Sequence, residues 1–98
     1  MLSPYAERVL AVVEAIPAGR VMSYGDICEY LGESSARAVG MVLFAHGSEV
    51  AWHRVVMTSG APAPQHAAEQ LTRLRSEGVR LRAGGQRVDM TAARWDGH

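Results

Sequence analysis

The stretch PAGRVMSYGDICEYLGESSARAVG, residues 17–40, decides the fold of this chain. Pro17 and Gly19 end whatever helix precedes them, and Arg20, Val21 and Met22 read as a short extended link. Ser23 supplies an N-cap hydroxyl, and Ile27, Cys28 and Leu31 then point inward from a helix that Gly32 stops. Ser34 or Ser35 caps a further helix running to about Ala45, with Val39, Val42 and Leu43 on its core face. Two short helices joined by a tight glycine-containing turn outline a helix-turn-helix.

Working outward, Ser3 and Pro4 open a first helix whose Tyr5, Val9, Val12, Val13 and Ile16 form one apolar stripe. On the other side, residues 51–57 read as a short extended or irregular piece. Residues 58–64 are loop, broken by Gly60, Pro62 and Pro64. A fourth helix covers roughly residues 66–76, with Ala67, Leu71 and Leu74 inward, and Gly78 ends it. Residues 79–90 read as a minimal hairpin turning at Gly84-Gly85, and Trp95 packs the tail onto the core. The expected fold is a small, mainly helical α+β domain with a winged helix-turn-helix-like core, spanning residues 1–98 as one unit.

Composition narrows the function classes. At 98 residues and 48% apolar content, the chain fits one compact core and excludes a doubly wound cofactor fold. No run approaches the roughly 18 apolar residues of a membrane span. Glu7, Arg8 and Glu14 interrupt every candidate secretory signal, and the single Cys28 excludes an internal disulfide or a cysteine-built metal site. No metal, cofactor or membrane is expected, and a reducing cytoplasm is the simplest compartment. Residues 1–49 hold three arginines against six acids, and residues 50–98 hold seven against four, so the net charge of zero hides halves of −3 and +3. A neutral chain that binds DNA neutralises few phosphates, which implies a shallow salt dependence.

Two segments carry chemistry. One is the stretch 17–27 followed by Ala36-Arg37-Ala38-Val39-Gly40. The other is Ala51-Trp52-His53-Arg54-Val55-Val56, followed by Ser59-Gly60 and Glu77-Gly78-Val79. Together, from Pro17 to Trp95, they resemble the DNA-binding and active-site core of the O6-alkylguanine-DNA alkyltransferases. Those suicide repair proteins carry Pro-Cys-His-Arg-Val at the second segment. Trp52 stands where their alkyl-accepting cysteine would be, which is the mark of the alkyltransferase-like proteins, and Ala51 stands where the family carries proline.

The resemblance implies a role for each residue. His53 and Glu77 match the pair that helps hold the family's cysteine as a thiolate; beside an indole they become a structural remnant whose hydrogen bond holds the loop. Trp52, read alone, is core packing. In the resemblance it floors a pocket for an extruded base, together with Leu43 and Val55. Tyr24 matches a tyrosine set against the backbone phosphate of the target nucleotide. Arg37 matches a finger that fills the vacated place in the stack, and Ser35 and Ala36 share its DNA-binding turn. Arg54 ties the Trp52 loop to neighbouring carbonyls. Arg73, Arg75, Arg80, Arg82 and Arg87 read as solvated faces, and Gln65 and His66 are the only polar candidates for the pocket between residues 61 and 66.

The implied function is non-enzymatic. A monomer binds O6-alkylguanine in duplex DNA through the minor groove, flips it, and flags it for nucleotide excision repair proteins. Two rivals come from other classes. A helix-turn-helix regulator without lesion specificity predicts a dimer on a symmetric operator. A lyase or glycosylase would have only His53 and Glu77 to work with.

Overall fold

The computed structural model describes residues 2–32 and 35–98. Helix α1 spans Pro4–Ala15, and Ser3 caps it by accepting from the Ala6 amide at 3.1 Å. Strand β1, Met22–Ser23, leads directly into α2, Tyr24–Leu31. Ser23 and Asp26 close a capping box at the start of α2, each side chain accepting the other's amide at 3.0 Å. Gly32 ends α2 in the left-handed conformation, φ 72°. Helix α3, Ala36–His46, is capped by Ser35; the Ser34 alternative lies outside the described residues. The helix-turn-helix expected from residues 17–40 is therefore present.

Two 3-10 turns, Gly47–Glu49 and Trp52–Arg54, lead into β2, Val55–Val56. Strand β2 pairs in parallel with β1, Met22 opposite Val55 and Ser23 opposite Val56. A 3-10 turn at Pro64–His66 opens α4, Ala67–Ser76. Leu71 and Leu74 of α4 are buried as expected, whereas Ala67 is only half-buried. The expected hairpin over 79–90 shrinks to one antiparallel bridge, Leu81 with Val88, and its turn does use left-handed Gly84 and Gly85. Its far end differs from expectation: Asp89 caps a four-residue helix, α5, Met90–Ala93. One helical turn is too short to leave an apolar period in the sequence. Among the described residues no helix is long and apolar enough to cross a membrane.

Alternation along the two short strands divides the interior. Met22 and Val55 face one core with Val9, Val13, Ile16, Ile27, Cys28 and Val39. Their neighbours Val21 and Val56 face a second, with Leu74, Val79, Val88 and Ala93. Trp95 packs against the first core, as expected, and its amide donates to the Val21 carbonyl at 2.7 Å.

Gly60 joins the loop after β2 to the second core. Its φ is +87°, and a Cβ there would overlap the carbonyl oxygen of buried Val88, whose own amide donates to the Gly60 carbonyl at 2.9 Å. Gly78 has a similar φ, +80°, but faces open space. Gly78→Ala is expected to cost about 1–2 kcal/mol, the strain of the left-handed region alone. Gly60→Ala is expected to cost about 3 kcal/mol or more, because strain and backbone overlap add. Urea denaturation of the two variants checks this; equal losses would contradict the packing described.

Candidate nucleic-acid interface

The turn Trp52–Arg54 is fastened from below by α4. The Arg54 guanidinium forks onto Glu77, Nε to Oε1 at 3.0 Å and one terminal nitrogen to Oε2 at 2.6 Å. Its other terminal nitrogen donates to the Ile16 carbonyl at 2.8 Å. The expected tie of Arg54 to neighbouring carbonyls is thus a single carbonyl, and a carboxylate takes the rest of the fork. His53 Nε2 lies 2.9 Å from the same Oε2, with the imidazole buried. A neutral ring that donates from Nε2 leaves Nδ1 as a bare acceptor, and Nδ1 is buried with no partner among the described residues. Gln70, fully buried on α4, donates to the His53 and Val55 carbonyls at 3.1 and 2.7 Å and accepts from the Ala63 amide at 2.8 Å.

The Arg54 hydrogen bonds, helped by His53, hold the Glu77 carboxyl at about 2, well below its ordinary 4.5. Glu77 is the C-cap residue of α4, where the helix dipole disfavours a negative charge. The guanidinium is what keeps it ionised there.

Above this latch lies an open cleft of about 550 Å³, within the range of small-molecule sites. Trp52 meets the imidazole of His66 edge-on at 5.8 Å and that of His53 at 6.2 Å. The guanidinium of Arg73 stands 5.4 Å from the Trp52 ring centroid, and Arg73 pairs with Glu69 at 2.8 Å. Tyr24, half-buried against the first core, forms another part of the wall. Burial pushes its phenol above 10.0, so at neutral pH it keeps the O–H it can donate. Gly40, Leu43 and Phe44 of α3 close the opposite side.

The structure brings Trp52, Leu43 and Tyr24 onto one cleft, and Gln65 and His66 join them. It does not bring Val55: that side chain is fully buried in the first core, because β2 turns it toward Met22 and Ile16. Only the Val55 carbonyl faces α4, where Gln70 holds it. Ser35, Ala36 and Arg37 are exposed on the first turn of α3, beside the cleft rather than in its wall. Two wall residues escaped the sequence reading. Arg73, read as a solvated face, shares a helical face with His66 and Glu69, and that spacing was the available signal. Phe44 follows Leu43 on one helix, so the two cannot both face the core.

Residues 4–79 match the family described as the DNA-binding domain of 6-O-methylguanine DNA methyltransferase. A DNA base-flipping protein of Escherichia coli (strain K12) is 38% identical over 97 residues, covering 94% of this chain and 74% of that protein. Alkyltransferase-like protein 1 of Schizosaccharomyces pombe is 32% identical over 87 residues, covering 82% of this chain and 81% of its own length. Among solved structures, S. pombe Atl1 in complex with damaged DNA containing O6-carboxymethylguanine is similar with a TM-score of 0.82 at 28% identity, covering 97% of both chains. Mycobacterium tuberculosis O6-methylguanine methyltransferase is similar with a TM-score of 0.67 at 29% identity, over 85% of this chain and 53% of that one. The helix-turn-helix-type fold is common to all of them.

Glu77 makes the latch sensitive to acid. Its folded value lies below its ordinary one, so its contribution is complete above about pH 5 and drains away as pH falls toward about 2. Glu77→Gln is expected to destabilise the protein by on the order of 2–3 kcal/mol at neutral pH. The gap between wild type and variant should close as pH falls through that window. Denaturant melts across the acid range measure it; a gap independent of pH would contradict the assignment.

Proposed function

The chain belongs to the family of the 6-O-methylguanine DNA methyltransferase DNA-binding domain, and on that premise we propose that it recognises O6-alkylated guanine in duplex DNA by extruding the base, and leaves it chemically unchanged. The observation that carries this reading is Trp52. It floors an open cleft on a turn fastened by the Arg54, His53 and Glu77 hydrogen bonds. A rigid floor with no nucleophile suits a receptor better than a reagent.

In this reading the first turn of α3 enters the minor groove, where Ala36, Ala38 and Gly40 allow close approach and Arg37 occupies the gap in the stack. Tyr24 donates its O–H to the phosphate of the rotated nucleotide. Extrusion costs a few kcal/mol, least for a damaged and poorly paired base. Stacking on aromatic or guanidinium planes returns about 1–3 kcal/mol per base, and Trp52 and Arg37 are placed to supply it.

Alkyl transfer needs a thiolate within reach of the alkyl carbon. The indole of Trp52 supplies none, and Cys28 is buried in the first core. His53 and Glu77 then serve the latch alone. Because nothing covalent forms, the complex persists only as long as its contacts do. Such a complex shields the lesion and marks it for nucleotide excision repair proteins, with the protein acting as a monomer.

Two measurements test the proposal. Equilibrium binding at one stated salt concentration is expected to show a duplex with O6-methylguanine bound at least about tenfold more tightly than the same duplex with guanine. Mass spectrometry after incubation is expected to find both protein and DNA unmodified. Equal affinities, a methyl adduct on the protein, or loss of methyl from the DNA would overturn it. Arg37→Ala is expected to cost about 1–3 kcal/mol on the alkylated duplex and less on guanine. Equal losses on both, with an altered salt slope, would reduce Arg37 to a phosphate contact.

A further inference from the structure

Phe44 is 84% exposed, the most exposed large apolar side chain among the described residues. Leu43, beside it on α3, is half-buried against the first core, so helical geometry sends Phe44 outward. An isolated aromatic on a surface needs no explanation, but this one stands on the wall of the Trp52 cleft. The cleft is two-sided. Gln65, His66 and Arg73 make one side polar, while Leu43 and Phe44 make the α3 side apolar.

A guanine alkylated at O6 is two-sided in the same way. Its ring edge carries hydrogen-bonding groups, and its substituent is hydrocarbon. Matching polar to polar and apolar to apolar seats the substituent against α3 and the ring edge toward α4. We propose that Phe44 is the residue that reads the alkyl group, so that affinity rises with the apolar length of the O6 substituent. This inference rests on the preceding reading that the cleft receives the base, and it adds which lesions the cleft favours.

The physical consequence is graded. Each methylene fully covered by apolar side chains is worth about fourfold in affinity. A methyl group reaches little of the Phe44 ring, whereas a propyl chain reaches further across it. A carboxymethyl group has nearly the length of propyl but ends in a charge. Held against Leu43 and Phe44, that carboxylate loses water without gaining a donor.

The test uses four duplexes identical except at one base: guanine, O6-methylguanine, O6-propylguanine and O6-carboxymethylguanine. The proteins are the wild type, Phe44→Ala and Met41→Ala. Met41 is 64% exposed on the same helix but lies off the cleft wall, so it controls for lost apolar surface outside the site. Both changes are at exposed positions, and thermal melts should be unaltered. Wild type is expected to bind propyl about tenfold more tightly than methyl, and more tightly than carboxymethyl. Phe44→Ala should erase most of the propyl advantage while leaving methyl over guanine, and Met41→Ala should leave the propyl-to-methyl ratio as it was.

Propyl binding no tighter than methyl or carboxymethyl would overturn the inference. So would a loss in Phe44→Ala that is equal on all four duplexes, since that describes a general groove contact. Failure of the underlying reading has a different signature: wild type would not separate any alkylated duplex from guanine, and both readings would fall together.

Discussion

One carboxylate organises this molecule. Glu77, at the end of α4, takes two guanidinium hydrogen bonds from Arg54 and one from His53, residues 23 and 24 positions away. Arg54 carries the connection on to the last residue of the first apolar stripe, through the Ile16 carbonyl. A lone buried charge would be costly, and so would a lone guanidinium; together with the imidazole they satisfy one another. Gln70, one helical face away on α4, fastens the backbone of the same turn at two carbonyls. The turn bearing Trp52 is therefore held by side chains of a single helix, and a ring on a held turn loses little entropy when something stacks on it.

The β1–β2 pair is the second constraint. Two residues per strand make a weak sheet, but the pairing lets adjacent side chains face opposite cores. Val55 shows the result. It stands three residues after Trp52 yet lies in the interior, so the motif has one residue for the cleft, two for the latch and one for the core. A reading that assigns the whole motif to the pocket overlooks the alternation that β2 imposes.

The helices were largely legible in the sequence because their signals are local. Ser3, Ser23 and Ser35 cap them, Gly32 and Gly78 stop them, and the stripe from Tyr5 to Ile16 is buried or half-buried where the period puts it. What was illegible depends on distant partners. Nothing near Gln70 announces that it will be buried and bonded to residues 53, 55 and 63. Arg73 has the look of a solvated residue until α4 lies beside Trp52. Asp89 starts a helix too short for any period to show. The candidate site was legible through its motif, and the resemblance, more than residue chemistry, put Trp52, Tyr24 and Arg37 on one surface.

The central claim is that an alkylated guanine leaves the helix and comes to rest against Trp52. A crystal structure of the protein bound to a short duplex containing O6-methylguanine tests it most directly. The account predicts the damaged base rotated out of the duplex and lying in the cleft against the indole, with the Arg37 guanidinium in the space it left. A damaged base still stacked within the duplex, with the Trp52 cleft facing solvent, would contradict it.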